Sequence, residues 1–462
     1  MRIALLMPCR GQVRQEERSP RPWLPPGSLL EVAAMTPSEH QVLVWDELAQ
    51  GPLTPDTLPD ADLYGISGLS TSRYGAHRLA GLIRAYKPQS RIVAGGMDVT
   101  GCYSEGGESQ LLKHYDAVVV GRLTPSLWRT VLADAQSPDG LRPVYRAAPD
   151  EPWVFVPTPH HIVNPKRYFL PAAIRSSYGC NEGCAFCTVN LVAGGGRKVY
   201  CKPAEVLEKE LATLPGSPFA DTSDSFGAEY DHTMEVVLPL YKRLGRPWFA
   251  EVTAQNLLGV GKPGRSEMIT PMAKAHCAGV YMGVESLIGA VSGKSIPTEL
   301  MEEAVERVHR AGMMALGSAI LDVTGEETRE TTEHLVHWMI RQKFDFVQYS
   351  LLALLPGSRL RGWALAHGKV IDDNPEHLDG AWPTIAHKNL TPKERIELLA
   401  WAYKKTYSLG GVLGRFRVHK QLPVWLAASY QVYKSAKRWV SRVGSYDYWL
   451  ATRQDPGAVA AG

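Results

Sequence analysis

The sequence predicts an α/β chain in three parts: a doubly wound N-terminal domain, a partial barrel of βα units, and a helical C-terminal region. Two observations carry this. Short apolar runs alternate with helical patterns twice along the chain, and the alternation gives way to helix near residue 376. The expected boundaries are 1–140 for the first domain, 141–168 for a linker, 169–375 for the barrel and 376–462 for the helical domain.

In the first part the apolar runs are Ile3–Met7, Val42–Trp45, Leu63–Ser67, Ile92–Ala94 and Ala117–Val120. Gly95, Gly96 and Gly121 close the last two. Between them lies helical spacing, as in Ala76–Tyr86 with Leu79, Leu82 and Ile83. Short continuous apolar strands separated by helices imply a parallel sheet with both faces covered. Ligands of such sheets sit beyond the C-terminal strand ends, which singles out the loops Ser67–Ser72, Gly95–Thr100 and Gly121–Ser126.

The stretch after Gln136 is rich in Pro, Asp and Arg and reads as a linker. The second α/β run contains strand-like pieces at Val199–Leu214, Trp248–Thr253, Val280–Glu285, Met314–Leu321 and Phe346–Leu352. Helical stretches such as Thr298–Ala311 and Thr328–Ile340 separate them, the spacing of an open or closed βα barrel. In the last part Thr391–Pro392–Lys393–Glu394 is a capping box, with Gly410 as a stop for its helix. Trp425–Val443 reads as an amphipathic helix with a core face and a solvated basic face.

Composition excludes several classes. The 462 residues are 45% hydrophobic and 21% charged, with net charge +3 and no long basic block, so no nucleic-acid partner is expected. No apolar run reaches membrane-span length, and the opening MRIALLMPCRG fits a buried strand better than a signal peptide. Seven cysteines, three of them clustered, suit a metal site in a reducing cytoplasm better than a disulfide framework. The other four, Cys9, Cys102, Cys201 and Cys277, read as small buried hydrophobes.

The cluster is Cys180–Asn181–Glu182–Gly183–Cys184–Ala185–Phe186–Cys187. Three thiolates within eight residues, on a loop loosened by Gly179 and Gly183, are able to converge on one metal centre. A cubane iron–sulfur cluster takes four ligands, so three cysteines leave one iron open. The other reading of the same residues is a zinc-stabilised binding protein, its site completed by Cys201.

The C-x-x-x-C-x-x-C spacing, with Phe186 before the third cysteine, resembles the signature of the radical S-adenosylmethionine (SAM) superfamily. The resemblance implies a [4Fe–4S] cluster on Cys180, Cys184 and Cys187. It also implies SAM chelated at the open iron, reductive cleavage of SAM to a 5'-deoxyadenosyl radical, and an external electron donor or reductase. Asp224 stands where the family carries an acidic group near the SAM amine. Gly283, Glu285 and Ser286 resemble its G-V-E-S strand end, and Pro356 of Leu354–Leu355–Pro356–Gly357–Ser358 its segment near the adenine.

The first part resembles the cobalamin (B12)-binding Rossmann-like domain of one radical SAM subgroup. Leu24–Pro25–Pro26–Gly27–Ser28 and Gly95–Gly96–Met97–Asp98–Val99–Thr100 carry this likeness. A D-x-H-x-x-G motif is absent, as is usual in the subgroup. The subgroup's G-E-G-E turn is replaced by Gly121–Arg122–Leu123–Thr124, and Met97 and Asp98 replace a proline and a histidine. The added bulk of Arg122 and Leu123 points to a degraded cobalamin site and to an enzyme like the radical SAM diol dehydratases of aminoglycoside biosynthesis. The expected reaction is then hydrogen abstraction from a small sugar-like natural product and cobalamin-free dehydration, with cobalamin-dependent C-methylation as the alternative. Tyr230, Asp231 and His232, six to eight residues beyond Asp224, are the acid/base candidates for that dehydration.

Overall fold

The structure is a computed structural model. It describes residues 1–10, 21–194, 196–261, 263–288, 297–415, 446–453 and isolated positions from 423 to 434. It divides into two compact units: Met1–Cys180, Cys187–Phe219 and Leu355–Arg361 in the first, and Asn181–Phe186, Ala220–Leu354 and Gly362–Gly462 in the second.

The first unit is built on strands β1 (Arg2–Met7), β2 (Gln41–Asp46), β3 (Leu63–Ser67), β4 (Arg91–Gly95), β5 (Ala117–Val120) and β6 (Val144–Arg146). They form one sheet in the order β2-β1-β3-β4-β5-β6, parallel at every pairing. Successive side chains enter opposite cores. Leu6, Ile66, Ala94 and Val120 pack with Leu79 and Ile83 of helix Arg73–Tyr86. Leu5, Val93 and Val119 pack with Leu30 and Trp128 on the other face, under helices Gly27–Met35 and Pro125–Gln136. Burial on both faces is why these strands read as unbroken apolar runs. The order reverses between β1 and β3, which makes their C-terminal ends the switch point of the sheet.

Strand β6 lies inside the span read as a linker. Its Tyr145 is buried, as are Val163 and Tyr168 further on, so this span contributes to the first core instead of crossing open solvent. The short strands β7 (Ala172–Ile174), β8 (Ser177–Tyr178) and β9 (Tyr200–Cys201) follow. The run Val199–Leu214, read as a strand, is only β9 and then helix Ala204–Ala212, which starts after Pro203 and buries Leu207 and Leu211 one turn apart.

In the second unit β10 (Phe219–Asp221), β11 (Trp248–Glu251), β12 (Cys277–Glu285), β13 (Met314–Ile320) and β14 (Phe346–Ser350) lie side by side in sequence order. The pairings β11–β12, β12–β13 and β13–β14 are parallel. Helices between them include Thr298–Arg310 and Arg329–Arg341, each with a buried apolar stripe facing the sheet. This is the βα repeat of a partial barrel. Helix Pro392–Thr406 follows, with the reciprocal Thr391–Glu394 capping box in place. Gly410 does not stop that helix, which ends at Thr406; it lies within the next one, Leu409–Arg415. Trp425–Val443 falls mostly outside the described residues. Among the described residues no helix is long and apolar enough to cross a membrane.

Two outcomes follow from this architecture. Replacing Thr391 with Ala removes an N-cap oxygen and half of the box, and is expected to cost about 1 kcal/mol in a urea unfolding series. In the first unit the rings of His77 and His114 stack 3.7 Å apart. Burial and the neighbouring His114 hold the His77 imidazole down at about 4, against an ordinary 6.5. The unfolded chain therefore binds more protons between those values, and stability is lost as pH falls from about 6.5 towards 4. A His77→Phe variant should show a flatter profile of melting temperature over that window; an identical slope would remove the pair as its source.

Candidate active site

Three loops beyond the first sheet's strand ends are joined by side chains. Gly96, at φ +94°, closes against Ser67, whose Oγ would lie 2.5 Å from an added Cβ, so only glycine fits there. The Thr100 hydroxyl accepts the Gly121 N–H at 2.9 Å and ties the loop after β4 to the loop after β5. Asp98 is gripped by Arg73 through Nε at 2.9 Å and Nη2 at 2.6 Å.

The loop after β5 differs from the expected obstruction. Gly121, at φ +78°, has no heavy atom of the described residues within 4 Å of where a Cβ would stand. The Arg122 guanidinium lies 5.4 Å over the Trp153 ring and donates to the carbonyls of Ala148 and Glu151. Leu123 packs against the hydrophobic core. Both bulky side chains thus have partners of their own, and the expectation that their bulk closes this turn is corrected.

Helix Met97–Ser104, which begins at this site, receives the Pro356 segment. At Gly101 an added Cβ would lie 2.2 Å from the Pro356 carbonyl. Glu105 accepts from the Gly357 N–H at 2.8 Å and from Arg361 Nε at 3.0 and 3.1 Å. The helix that follows the Gly95–Gly96 turn therefore meets the segment Pro356–Arg361 within the first unit.

The cysteine loop leaves a two-stranded antiparallel hairpin in which Ser177 faces Cys201 and Tyr178 faces Tyr200. Gly179 turns the chain at φ +83°, with Lys198 O only 2.2 Å from a would-be Cβ. Tyr178 donates to Glu31 Oε1 at 2.6 Å; burial and this carboxylate hold its phenol well above its ordinary value, so it stays protonated. Its ring packs on Trp153 at 5.1 Å and lies under Arg175 at 5.4 Å. The hairpin is anchored by a buried charge cluster. Lys202 Nζ meets Glu210 Oε2 at 2.6 Å, and His160 Nε2 lies 3.4 Å from Oε1 of the same carboxylate. Burial pushes the Glu210 carboxyl up, but His160 and Lys202 together bring it below the ordinary value.

Of the clustered thiols, Cys180 and Cys184 are half-buried and Cys187 is exposed. The Val189 N–H donates to Cys187 Sγ at 3.5 Å, and the Cys180 N–H donates to Asn190 Oδ1 at 3.3 Å. Among the described residues no three His, Cys, Asp or Glu side chains form a closed metal-ready group. The fit to an iron–sulfur cluster rests on donor chemistry: three cysteine thiols in one short loop, one accepting a backbone N–H of the kind that tunes cluster sulfurs. Phe186 is half-buried. Of the other cysteines, Cys9 and Cys277 are buried, and burial pushes the Cys9 thiol up to about 12; Cys102 and Cys201 are half-buried.

In the second unit the remaining candidates lie at strand ends. Asp224 follows β10, after Asp221, which is itself taken by Ser223 at 2.6 Å and Tyr241 at 2.8 Å. Strand β12 carries a register shift between Gly283 and Glu285, and Glu285 stands at φ +60°. A left-handed non-glycine residue costs roughly 1–2 kcal/mol, and such strain concentrates at functional sites. Ser286 Oγ accepts the Ile288 N–H at 3.2 Å. Tyr230, Asp231 and His232 form the first turn of the helical segment after β10. Asp231 is exposed, and the Tyr230 hydroxyl is 2.6 Å from Ser266 Oγ.

Sequence reasoning missed Lys202, Glu210, His160 and Arg395. Polar residues separated along the chain give no pattern of their own, and only folding brings them together.

Comparison with known proteins gives consistent results. No protein-family profile matches the chain. A protein of Pyrococcus horikoshii described as an uncharacterized methyltransferase is 24% identical over 416 residues, covering 83% of this chain and 88% of its own. The bacteriochlorophyllide d C-12(1)-methyltransferase of Chlorobaculum tepidum is 23% identical over 350 residues, 72% of each chain. The radical SAM methyltransferase TsrM of Kitasatospora setae, solved with cobalamin and a [4Fe–4S] cluster, superposes with a TM-score of 0.58 at 16% identity, covering 79% of this chain and 78% of that one. Its structure with tryptophan and a SAM analogue gives 0.57 at 13% identity, covering 90% and 89%. The chain has the fold of the radical SAM enzymes that carry an N-terminal cobalamin-binding-type domain.

Proposed function

We propose that this chain is a cobalamin-dependent radical SAM methyltransferase acting on a small organic substrate. One observation carries the choice over dehydration: the turn after β5 is open at Gly121, because Arg122 is held on Trp153 and Leu123 in the core. The obstruction that argued for a cobalamin-free enzyme is therefore gone. The two methyltransferases among the relatives support the same choice.

Cys180, Cys184 and Cys187 would hold the [4Fe–4S] cluster, with Phe186 beside it. Asp224, Gly283, Glu285, Ser286 and Pro356 would line the SAM site. When bound, the cluster supplies the electron that cleaves SAM and the corrinoid supplies the methyl group, while an external donor delivers the electron. This chain's own work is to orient and to exclude water. The Tyr178–Glu31 bond and the Lys202–Glu210 pair fix the hairpin that presents Cys180. The Thr100–Gly121 bond holds the corrinoid-side loops in register. Tyr230, Asp231 and His232 lose their proposed role, since methyl transfer to carbon requires no leaving hydroxyl to be protonated.

Anaerobic reconstitution with iron, sulfide and hydroxocobalamin tests this directly. About four irons per chain together with stoichiometric cobalt is expected. Iron without cobalt would return the enzyme to cobalamin-free dehydration, and zinc in place of iron would leave a metal-stabilised binding protein. Changing any one of the three cysteines to Ala should abolish SAM cleavage.

A second test separates the hairpin from the ligands. Gly179→Ala removes no thiol, but its methyl group has no room beside Lys198 O. It should lower iron content about as far as Cys180→Ala does, with circular dichroism unchanged. Full iron loading would show that the turn does not set the cysteine geometry.

A further inference from the structure

Arg395 lies in the first turns of helix Pro392–Thr406 and is only 1% exposed. Its Nη1 donates to Asp322 Oδ2 at 2.9 Å, and Asp322 Oδ1 accepts the Leu352 N–H at 2.7 Å. Asp322 stands two residues beyond β13, and Leu352 two residues beyond β14. The guanidinium is thus fixed at the C-terminal ends of two neighbouring parallel strands, the edge where such sheets bind ligands.

The other edge of this guanidinium is unused. Nε and Nη2 are both buried, and neither has a hydrogen-bond partner among the described residues. A buried charged donor left unmade is costly, and native structures keep few of them. The unused atoms form the side-on fork that matches two oxygens of one carboxylate. The same fork elsewhere in this chain does that work, where Arg73 holds Asp98 through Nε at 2.9 Å and Nη2 at 2.6 Å.

We infer that the Nε/Nη2 edge of Arg395 receives a carboxylate of the small-molecule substrate. Asp322 holds the opposite edge and sets the plane of the fork, so a two-oxygen group at the strand ends meets both donors at once. A single-oxygen or uncharged group leaves one donor unmade. The assignment deepens the methyltransferase reading by naming a substrate class. It rests on that reading only for calling the bound molecule a substrate, since carboxylate binding itself needs neither cluster nor corrinoid.

The test is the melting temperature of the full-length chain in sodium acetate, compared with sodium chloride at matched ionic strength. A saturable rise specific to acetate is expected in the wild type. It should be lost in Arg395→Lys, which keeps a cation for Asp322 but has no second edge. The rise should persist in saturating SAM. No acetate-specific rise in the wild type, or an equal rise in Arg395→Lys, overturns the assignment. Loss of the rise on adding SAM also overturns it, by giving the fork to the methionyl carboxylate. If Arg395→Lys does not fold, a crystal structure of the wild type grown in acetate decides: acetate oxygens on both Nε and Nη2 support the inference, and ordered water alone on both refutes it. Failure of the methyltransferase reading would instead appear as absent cobalt with the acetate response intact.

Discussion

The buried pair between Lys202 and Glu210 anchors the hairpin from which the cysteine loop leaves. Both side chains are at most 1% exposed, and the ammonium meets the carboxylate at 2.6 Å. Removing either partner of such a pair leaves an uncompensated charge in a low-dielectric place, at a cost of about 3–5 kcal/mol. Lys202 also donates its backbone N–H to the Ser176 carbonyl at 2.9 Å, so the charge that cannot move is attached to the strand that pairs with β8. From there the constraint passes through Tyr178, clamped between Glu31 and Trp153, to Gly179 and the first cysteine. A loop that must offer thiols has few apolar contacts with which to fix itself. Here the fixing is done by a charge cluster beneath it.

The strands were readable because parallel strands buried on both faces leave continuous apolar runs, and β1, β3, β4 and β5 are such strands. Strand β6 was not readable. It has three residues between Pro143 and Ala147, with Arg146 exposed at its end, and only Tyr145 betrays it by being buried. The cysteine spacing was visible because the three ligands are neighbours in sequence. Arg122 and Leu123 were visible as bulk but not as direction. A side chain that leaves a turn for Trp153, some thirty residues on, has no sequence signature. Arg395 and Asp322, 73 residues apart, were hidden for the same reason: each alone reads as an ordinary surface charge.

Asp98 shows how a buried carboxylate is accommodated where β4 gives way to its helix. Its side chain follows β4 and is 7% exposed, where an unpaired carboxylate would be expensive. Arg73 neutralises it through two short bonds from the first turn of the helix after β3. The same arginine then braces the loop, and burial with the Asp98 charge keeps the adjacent Cys102 thiol up at about 12, protonated and inert. Close by, Thr100 accepts the Gly121 N–H and ties this segment to the turn after β5.

Several of the strained or incompletely paired groups stand at the same kind of place in both units. The left-handed Gly96 and Gly121 stand beyond β4 and β5, the left-handed Glu285 ends β12, and the half-used Arg395 guanidinium sits beyond β13 and β14. A parallel ladder commits every backbone group of a strand to its neighbours, so strand interiors have neither conformational freedom nor unpaired donors to spare. Beyond the C-terminal ends the chain turns before the next helix, and there φ angles, side-chain edges and N–H groups are released from the ladder. Departures from ideal geometry at those ends are the places where the sheet stops specifying its own partners and leaves the remaining bonds to whatever binds.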